Sequence, residues 1–250
     1  MDALVAQQLL DLNRRFYQSF AESFSATRAR LQPGVLRVLE TIPGDARILD
    51  LGCGSGELAR ELGKRGFQGV AQQRQAAYLG LDSSAGMLAF ARENAPALAS
   101  FRQADLAAPD WDNSLPTPFD IVLAFAVLHH LPRRELRLTV LDKVRALLAP
   151  DGRFIHSNWQ FLNSPRLRGR IQPWDAIGLD DSGVDDGDYL LDWRRDGEGL
   201  RYAHHFSEAE LADLARESRF RVAETFYSDG EGGKLGLYQI WSVIESGGVL

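Results

Sequence analysis

Residues 48–57, Ile48-Leu49-Asp50-Leu51-Gly52-Cys53-Gly54-Ser55-Gly56-Glu57, carry the densest chemistry in the chain. Glycines at Gly-x-Gly-x-Gly spacing let the backbone turn tightly and approach a ligand closely where a helix begins. Acids flank this loop on both sides, Asp50 before it and Glu57 after it. A dinucleotide pyrophosphate calls for Gly-x-Gly-x-x-Gly and would be repelled by negative charge at the helix N-terminus. A ligand bearing an ammonium and a sulfonium is favoured instead.

Two further acids sharpen that reading. Leu79-Gly80-Leu81-Asp82 places a carboxylate whose two oxygens can accept from both hydroxyls of a ribose, and Gln103-Ala104-Asp105-Leu106 places another. Asp105 can accept from an adenine amino group while Leu106 packs on the ring. Three acids at three successive strand ends point to S-adenosylmethionine rather than NAD. Cys53 is the one cysteine, so the chain forms no intramolecular disulfide, and no metal site is expected. Its place inside the cofactor loop removes methylation at a pyrimidine carbon through a cysteine adduct. The stretch Ala124-Phe125-Ala126-Val127-Leu128-His129-His130-Leu131-Pro132 lacks the Asn/Asp-Pro-Pro-aromatic signature of nucleobase amino methylation, which leaves an oxygen acceptor as the better residual class.

Bringing three strand ends together requires a particular scaffold. Strand-like runs at 47–51, 78–82, 101–105, 119–125 and 153–158 alternate with helical stretches at 55–65, 85–94 and 133–148, which predicts a parallel sheet covered on both faces. A capping box opens a last helix at Ser207-Glu208-Ala209-Glu210. Runs at 221–227 and 236–244 follow, joined by Asp229-Gly230-Glu231-Gly232-Gly233, so the final strand is expected antiparallel. The fold class is α/β, a seven-stranded doubly wound Rossmann-like sheet. Helical spacing at 4–42 predicts an N-terminal helical cap over 1–44, with the sheet domain over 45–250. Within it, 160–206 reads as an irregular insertion over the active end of the sheet. A composition 45% hydrophobic and 25% charged suits a soluble chain with a substantial core. No 20-residue apolar run or secretion signal is present, so no membrane association and a cytoplasmic setting are expected.

On the glycine loop and the three strand-end acids, the sequence resembles the class I S-adenosylmethionine-dependent methyltransferases over 45–160 and 207–245. The resemblance implies Asp50, Gly52, Gly54 and Gly56 around the methionine part of the cofactor, Asp82 on its ribose and Asp105-Leu106 at its adenine. Tyr17, Arg28, Cys53, Ser83, Met87 and Phe125 complete the expected cofactor contacts. Three stretches narrow it: Phe24-Ser25-Ala26-Thr27-Arg28, Val127-Leu128-His129-His130-Leu131 and Arg201-Tyr202-Ala203-His204-His205-Phe206. Together they resemble the tRNA methyltransferases that esterify a carboxymethyl group on wobble uridine. That family often works with a small zinc-ribbon activator protein. Ala203 stands where the family has a second tyrosine, and the insertion around Asp188-Tyr189-Leu190-Leu191-Asp192-Trp193 does not map onto it.

A carboxylate acceptor is ionised at pH 7, so methyl transfer to it needs positioning and desolvation rather than a strong base. An arginine fork can hold such a carboxylate, with Arg28 or Arg201 the candidate, although Arg28 can equally pair with the carboxylate of the cofactor. His129, His130 and His204 are the other catalytic candidates. Each can instead be a histidine satisfied by backbone carbonyls. Arg133, Arg134, Arg137, Lys143 and Arg145 form a basic stretch suited to a phosphate backbone or to a solvated helix face, and Arg166, Arg168 and Arg170, with Arg194 and Arg195 nearby in sequence, form the better phosphate candidate. The tRNA acceptor competes with a small-molecule acceptor enclosed by the N-terminal helices and the insertion, methylated on oxygen or nitrogen.

Overall fold

The computed structural model describes residues 1–20, 30–67, 77–93, 95–195, 197–230 and 232–244. The main sheet contains β1 (Ile48–Leu51), β2 (Tyr78–Asp82), β3 (Ala99–Gln103), β4 (Phe119–Phe125) and β5 (Leu148–Trp159), with β9 (Phe220–Ser228) and β10 (Gly236–Val243) from the end of the chain. Its order is β3-β2-β1-β4-β5-β10-β9. Strands β1 to β5 pair in parallel, and β10 runs antiparallel to both β5 and β9. This is the seven-stranded doubly wound sheet with a reversed last strand that the pattern of runs predicts.

The described helices are α1 (Ala3–Ser19), α2 (Pro33–Leu39), α3 (Glu57–Lys64), α4 (Ala85–Glu93), α5 (Arg134–Leu147), α6 (Pro165–Arg168) and α7 (Glu208–Glu217). All four residues of β1 are buried, as a parallel strand covered on both faces must be. On one face Val140 and Val144 of α5 and Leu211 and Leu214 of α7 pack with Leu49, Phe154 and Trp241. On the other, Val35 and Val38 of α2 and Leu58 and Leu62 of α3 pack with Ile48, Ile121 and Ile155. Helix α2 therefore covers the sheet, and within 1–44 it is α1 that projects towards the insertion.

Ser207 caps α7, its hydroxyl accepting from the Glu210 N–H at 3.1 Å. Ser207→Ala should cost about 1 kcal/mol of stability, measured as a lowered urea midpoint at unchanged slope.

The insertion is not irregular. It holds β6 (Ile171–Gln172), β7 (Asp188–Trp193) and β8 (Gly199–His204) as an antiparallel sheet in the order β6-β7-β8. Strand β7 escapes pattern reading because both its faces are buried. Leu190 packs with Leu9 of α1, Trp174 and Tyr202, while Leu191 packs with Phe161, Leu167 and Ala203. The third main strand also differs, ending at Gln103 and leaving Asp105 in the following turn. There Asp105 Oδ1 accepts from the Ala107 N–H at 2.9 Å, a local bond that competes with extending the strand. No helix among the described residues is long and apolar enough to cross a membrane.

Candidate functional site

The carboxyl ends of β1, β2 and β4 and the turn after β3 surround a cleft of about 270 Å³, roofed by Leu10, Asn13, Arg14 and Tyr17 of α1. Successive turns of one helix supply those four side chains, so the whole roof is set by the seating of α1. The glycine loop forms the opposite wall. Gly52 has φ +70°, and a Cβ there would stand 2.5 Å from Val127 Cγ2. Gly54 has φ +53° with nothing within 4 Å of its Cβ position, leaving backbone open towards the cleft. Gly56 serves packing instead: at φ +79° it caps α3 against the backbone of Ala91 and does not line the cleft.

Asp82 organises the loop. Its Oδ2 accepts from the Gly54 N–H at 2.9 Å and its Oδ1 from the Ser84 N–H at 2.8 Å. Each carboxylate oxygen has a second lone pair, which a ribose diol can use. Burial raises the Asp82 carboxyl above its usual range, opposed by those backbone bonds. Asp50 is more deeply buried, and burial pushes its carboxyl up to about 7, helped by the neighbouring Asp82 charge and opposed by a hydrogen bond from the Tyr78 hydroxyl. Burial, reinforced by the charges of Asp50 and Asp82, also pushes the Cys53 thiol up. A thiol held protonated is no nucleophile, in keeping with direct transfer.

Asp105 reaches the cleft but is already engaged. Its Oδ2 accepts from Arg14 Nε at 2.9 Å and Nη2 at 2.6 Å. An adenine amino group arriving there shares Asp105 with Arg14, which sequence reasoning missed because it lies on α1, far from the strand-end motifs. Ser83, Met87, Leu106 and Phe125 all line the cleft as expected. So do Arg30 and Gln32, which sequence reasoning also missed. Arg28, with Phe24, Ser25 and Thr27 of the same motif, lies outside the described residues.

Beyond the loop the wall passes to Ala126, Val127, His130 and Leu131. Ala126 has φ +58°, a strained conformation for a residue with a Cβ, and its N–H is held by the Ser157 carbonyl at 2.9 Å. The Tyr17 hydroxyl meets His130 Nε2 at 2.8 Å inside the cleft. His129 turns the other way and is buried, accepting at Nδ1 from the Trp159 N–H at 3.4 Å. Arg201 is buried one layer behind this wall, its guanidinium 4.6 Å from the ring centre of Trp159, 5.5 Å from Phe16 and 5.8 Å from Trp193. His204 is not a cleft residue. It is buried with Nδ1 2.6 Å from Asp188 Oδ1 and Nε2 3.0 Å from Glu210, because alternation along β8 points it to the face opposite Arg201 and Ala203. Among the described residues no acidic, histidine and cysteine side chains cluster as a metal site.

The donor set fits S-adenosylmethionine: acids for a cationic amino acid end, a diol and an aromatic amine, on an open glycine backbone. Residues 49–154 match the family described as a methyltransferase domain. Trans-aconitate 2-methyltransferase of Methylobacterium nodulans is 38% identical over 144 residues, covering 58% of this chain and 48% of the relative. The tRNA (carboxymethyluridine(34)-5-O)-methyltransferase of Saccharomyces cerevisiae is 28% identical over 155 residues, covering 62% of this chain and 50% of the relative. The chain thus spans about half the length of these two curated relatives. The solved DhpI–SAM–HEP complex superposes with a TM-score of 0.64 at 20% identity, covering 93% of this chain and 97% of that one, a likeness of fold.

The fold is Rossmann-like, and residues 49–154 within it match a methyltransferase domain.

Proposed function

We propose that the whole chain transfers a methyl group from S-adenosylmethionine to a carboxylate oxygen, with a carboxymethyl-modified tRNA uridine as the acceptor. The observation that carries the carboxylate is Arg201, a buried guanidinium behind the His130 wall whose carbon lies 4.6–5.8 Å from the ring centres of Phe16, Trp159 and Trp193. Rings around a guanidinium fix its place, and a guanidinium is the side chain best matched to a carboxylate. The two curated relatives named above point the same way, since aconitate and a carboxymethyl group are both carboxylates.

When bound, the cofactor supplies a methyl carbon on a sulfonium, displaced in line without any proton transfer. The chain's task is to hold the acceptor oxygen on that line and strip its water. Val127 and Leu131, beside Phe125, give the cleft an apolar wall for the second purpose. The Tyr17–His130 pair faces the cleft to orient the acceptor, with the Arg201 charge one layer behind it. Arg201→Met should raise the acceptor KM about tenfold while leaving cofactor affinity unchanged, a split that steady-state kinetics beside calorimetry reads directly.

Support for tRNA comes from the insertion. Pairing of β6 with β7 brings Arg170 opposite Asp192, so exposed Arg166 and Arg168 share one edge with Arg194 and Arg195. Asp192 offsets part of that charge by pairing with Arg194. The small-molecule reading has its own support in the roof that α1 lays over the cleft. In the tRNA reading, a zinc-ribbon activator would pair with the outer strand β9.

Transfer of labelled methyl to tRNA lacking the wobble ester, or to small polycarboxylic acids, separates these acceptors. Either product should release its label in mild base, as a methyl ester does. A base-stable product would overturn the carboxylate assignment. Salt-dependent tRNA retention lost in the combined Arg166→Ala, Arg168→Ala and Arg170→Ala variant is expected for the tRNA acceptor alone, and nucleoside mass spectrometry of tRNA from cells lacking the gene should then show the carboxymethyl precursor.

A further inference from the structure

Arg137 lies in the stretch 133–145 that reads as a basic helix face, yet only 2% of it is exposed. Its Nε donates to the Leu131 carbonyl at 2.9 Å and its Nη2 to the Tyr202 hydroxyl at 3.1 Å. Asp188 and Glu210 lie beside the guanidinium at 3.6 and 3.3 Å, and the Tyr202 hydroxyl donates onward to Asp188 Oδ1 at 2.7 Å. His204 bridges the same two acids. None of these five side chains lines the cleft, and the reaction as described uses none of them.

The two groups that Arg137 grips belong to the segments bracketing His130. Leu131 follows it in the chain, and the Tyr202 carbonyl lies 3.3 Å from His130 Nδ1. From the other side Asn13 clasps Tyr202, its Oδ1 accepting from the Tyr202 N–H at 2.9 Å and its Nδ2 donating to the Tyr202 carbonyl at 3.1 Å. At the far edge of the ring, Tyr17 meets Nε2 at 2.8 Å. A phenol O–H is a stronger acid than a neutral imidazole N–H, and an imidazole nitrogen is a better acceptor than a phenol oxygen, so Tyr17 donates to Nε2. The Asn13 amide nitrogen also lies 3.4 Å from Nδ1 but is committed to the Tyr202 carbonyl, so the ring proton sits on Nδ1, aimed at that carbonyl. Which nitrogen carries the proton is set by the partner of the other, and here the carbonyl that fixes it belongs to a residue held by Arg137 and Asn13.

We propose that Arg137 is a positioning residue: by holding Leu131 and Tyr202 together it fixes the tautomer and tilt of His130, and so presents the Tyr17–His130 pair to the acceptor. Burying this many charges is poor value as mere adhesion, since apolar side chains of equal volume hold elements together as well. What an apolar side chain does not do is direct a carbonyl and a hydroxyl at fixed angles. The inference rests on the methyltransferase reading for its kinetic arm and not for its spectroscopic one.

Two variants of the full chain test it. Arg137→Lys keeps the charge but has one nitrogen to serve both partners, and Tyr202→Phe keeps the ring and loses only the hydroxyl. Long-range 1H–15N spectra of the histidine rings, with His130 assigned by its loss in His130→Gln, should report a ring protonated on Nδ1 in the parent chain. Both variants should move those signals towards a mixture of tautomers. Affinity for S-adenosylhomocysteine should stay within about twofold, while kcat falls about tenfold. Unchanged His130 signals in Tyr202→Phe overturn the proposal, and so does a loss of S-adenosylhomocysteine affinity as large as the loss of kcat. If Arg137→Lys does not fold, Tyr202→Phe decides alone. A parent chain that moves no methyl group refutes the methyltransferase reading, while the His130 signals still judge the role of Arg137.

Discussion

Asp50→Asn should make the chain more stable above neutral pH while weakening its grip on the cofactor. Burial lifts the Asp50 carboxyl from 3.8 to about 7 in the folded chain, so the native state binds its proton more tightly than the unfolded state does. The contribution of Asp50 to stability is therefore fully present below about pH 4, is lost as pH rises towards 7, and is level above that. An uncharged isostere escapes the loss. At pH 8 the variant should gain on the order of 1–3 kcal/mol, and by pH 5 most of that advantage should vanish. Thermal unfolding of the two proteins across this range measures the difference directly, and a constant offset would refute the assignment. Binding runs the other way. A cationic ligand favours ionised Asp50, so affinity of the parent chain should rise with pH up to about 7, whereas the variant should be level and roughly tenfold to a hundredfold weaker.

The second large effect is expected at Asp82. Its carboxylate holds the loop through Gly54 and the start of the next helix through Ser84, and faces the cleft besides. Asp82→Ala removes the proposed ribose acceptor and leaves two backbone N–H groups without their partner. Charge-assisted bonds of this kind contribute about 1.5–3 kcal/mol each, so S-adenosylhomocysteine affinity should fall by about a hundredfold or more. Isothermal calorimetry reads it. Asp82→Asn should retain an intermediate affinity, because the amide oxygen still accepts from one of the two N–H groups. An alanine variant binding within threefold or so of the parent would show that the ribose is held elsewhere.

Sequence made the glycine-loop wall of the cleft legible because its pattern is local. Gly52, Gly54, Asp50 and Asp82 each sit at a strand end or in the turn beyond it, where spacing alone fixes the place of a side chain. Asp105 was placed correctly in the cleft although its strand stops two residues earlier. Arg14 was invisible for the opposite reason: it meets Asp105 only because α1 crosses the strand ends, and no local pattern encodes that crossing. His204 misled because its neighbours in sequence, Arg201 and Ala203, lie on the other face of the strand. Alternation along β8 then turns it away. Arg137 misled because a charge within a basic run reads as solvated, and only the register of α5 against β8 and α7 reveals it as buried. Leu190 and Leu191 hid a strand, since burial on both faces erases the alternation by which a half-exposed strand is recognised.

The clasp of Asn13 on Tyr202 has one more consequence. Strand β8 pairs with β7 on one side only, and the N–H and carbonyl of Tyr202 point outward from that pair. Such a row of open backbone groups invites another chain to add itself as a strand. The Asn13 amide occupies one donor and one acceptor of that row, as a single residue of a neighbouring strand would. Helix α1 thus covers the backbone of an edge strand as well as roofing the cleft. A chain whose α1 is removed, or whose Asn13 is made leucine, should aggregate through this strand before it loses its main sheet.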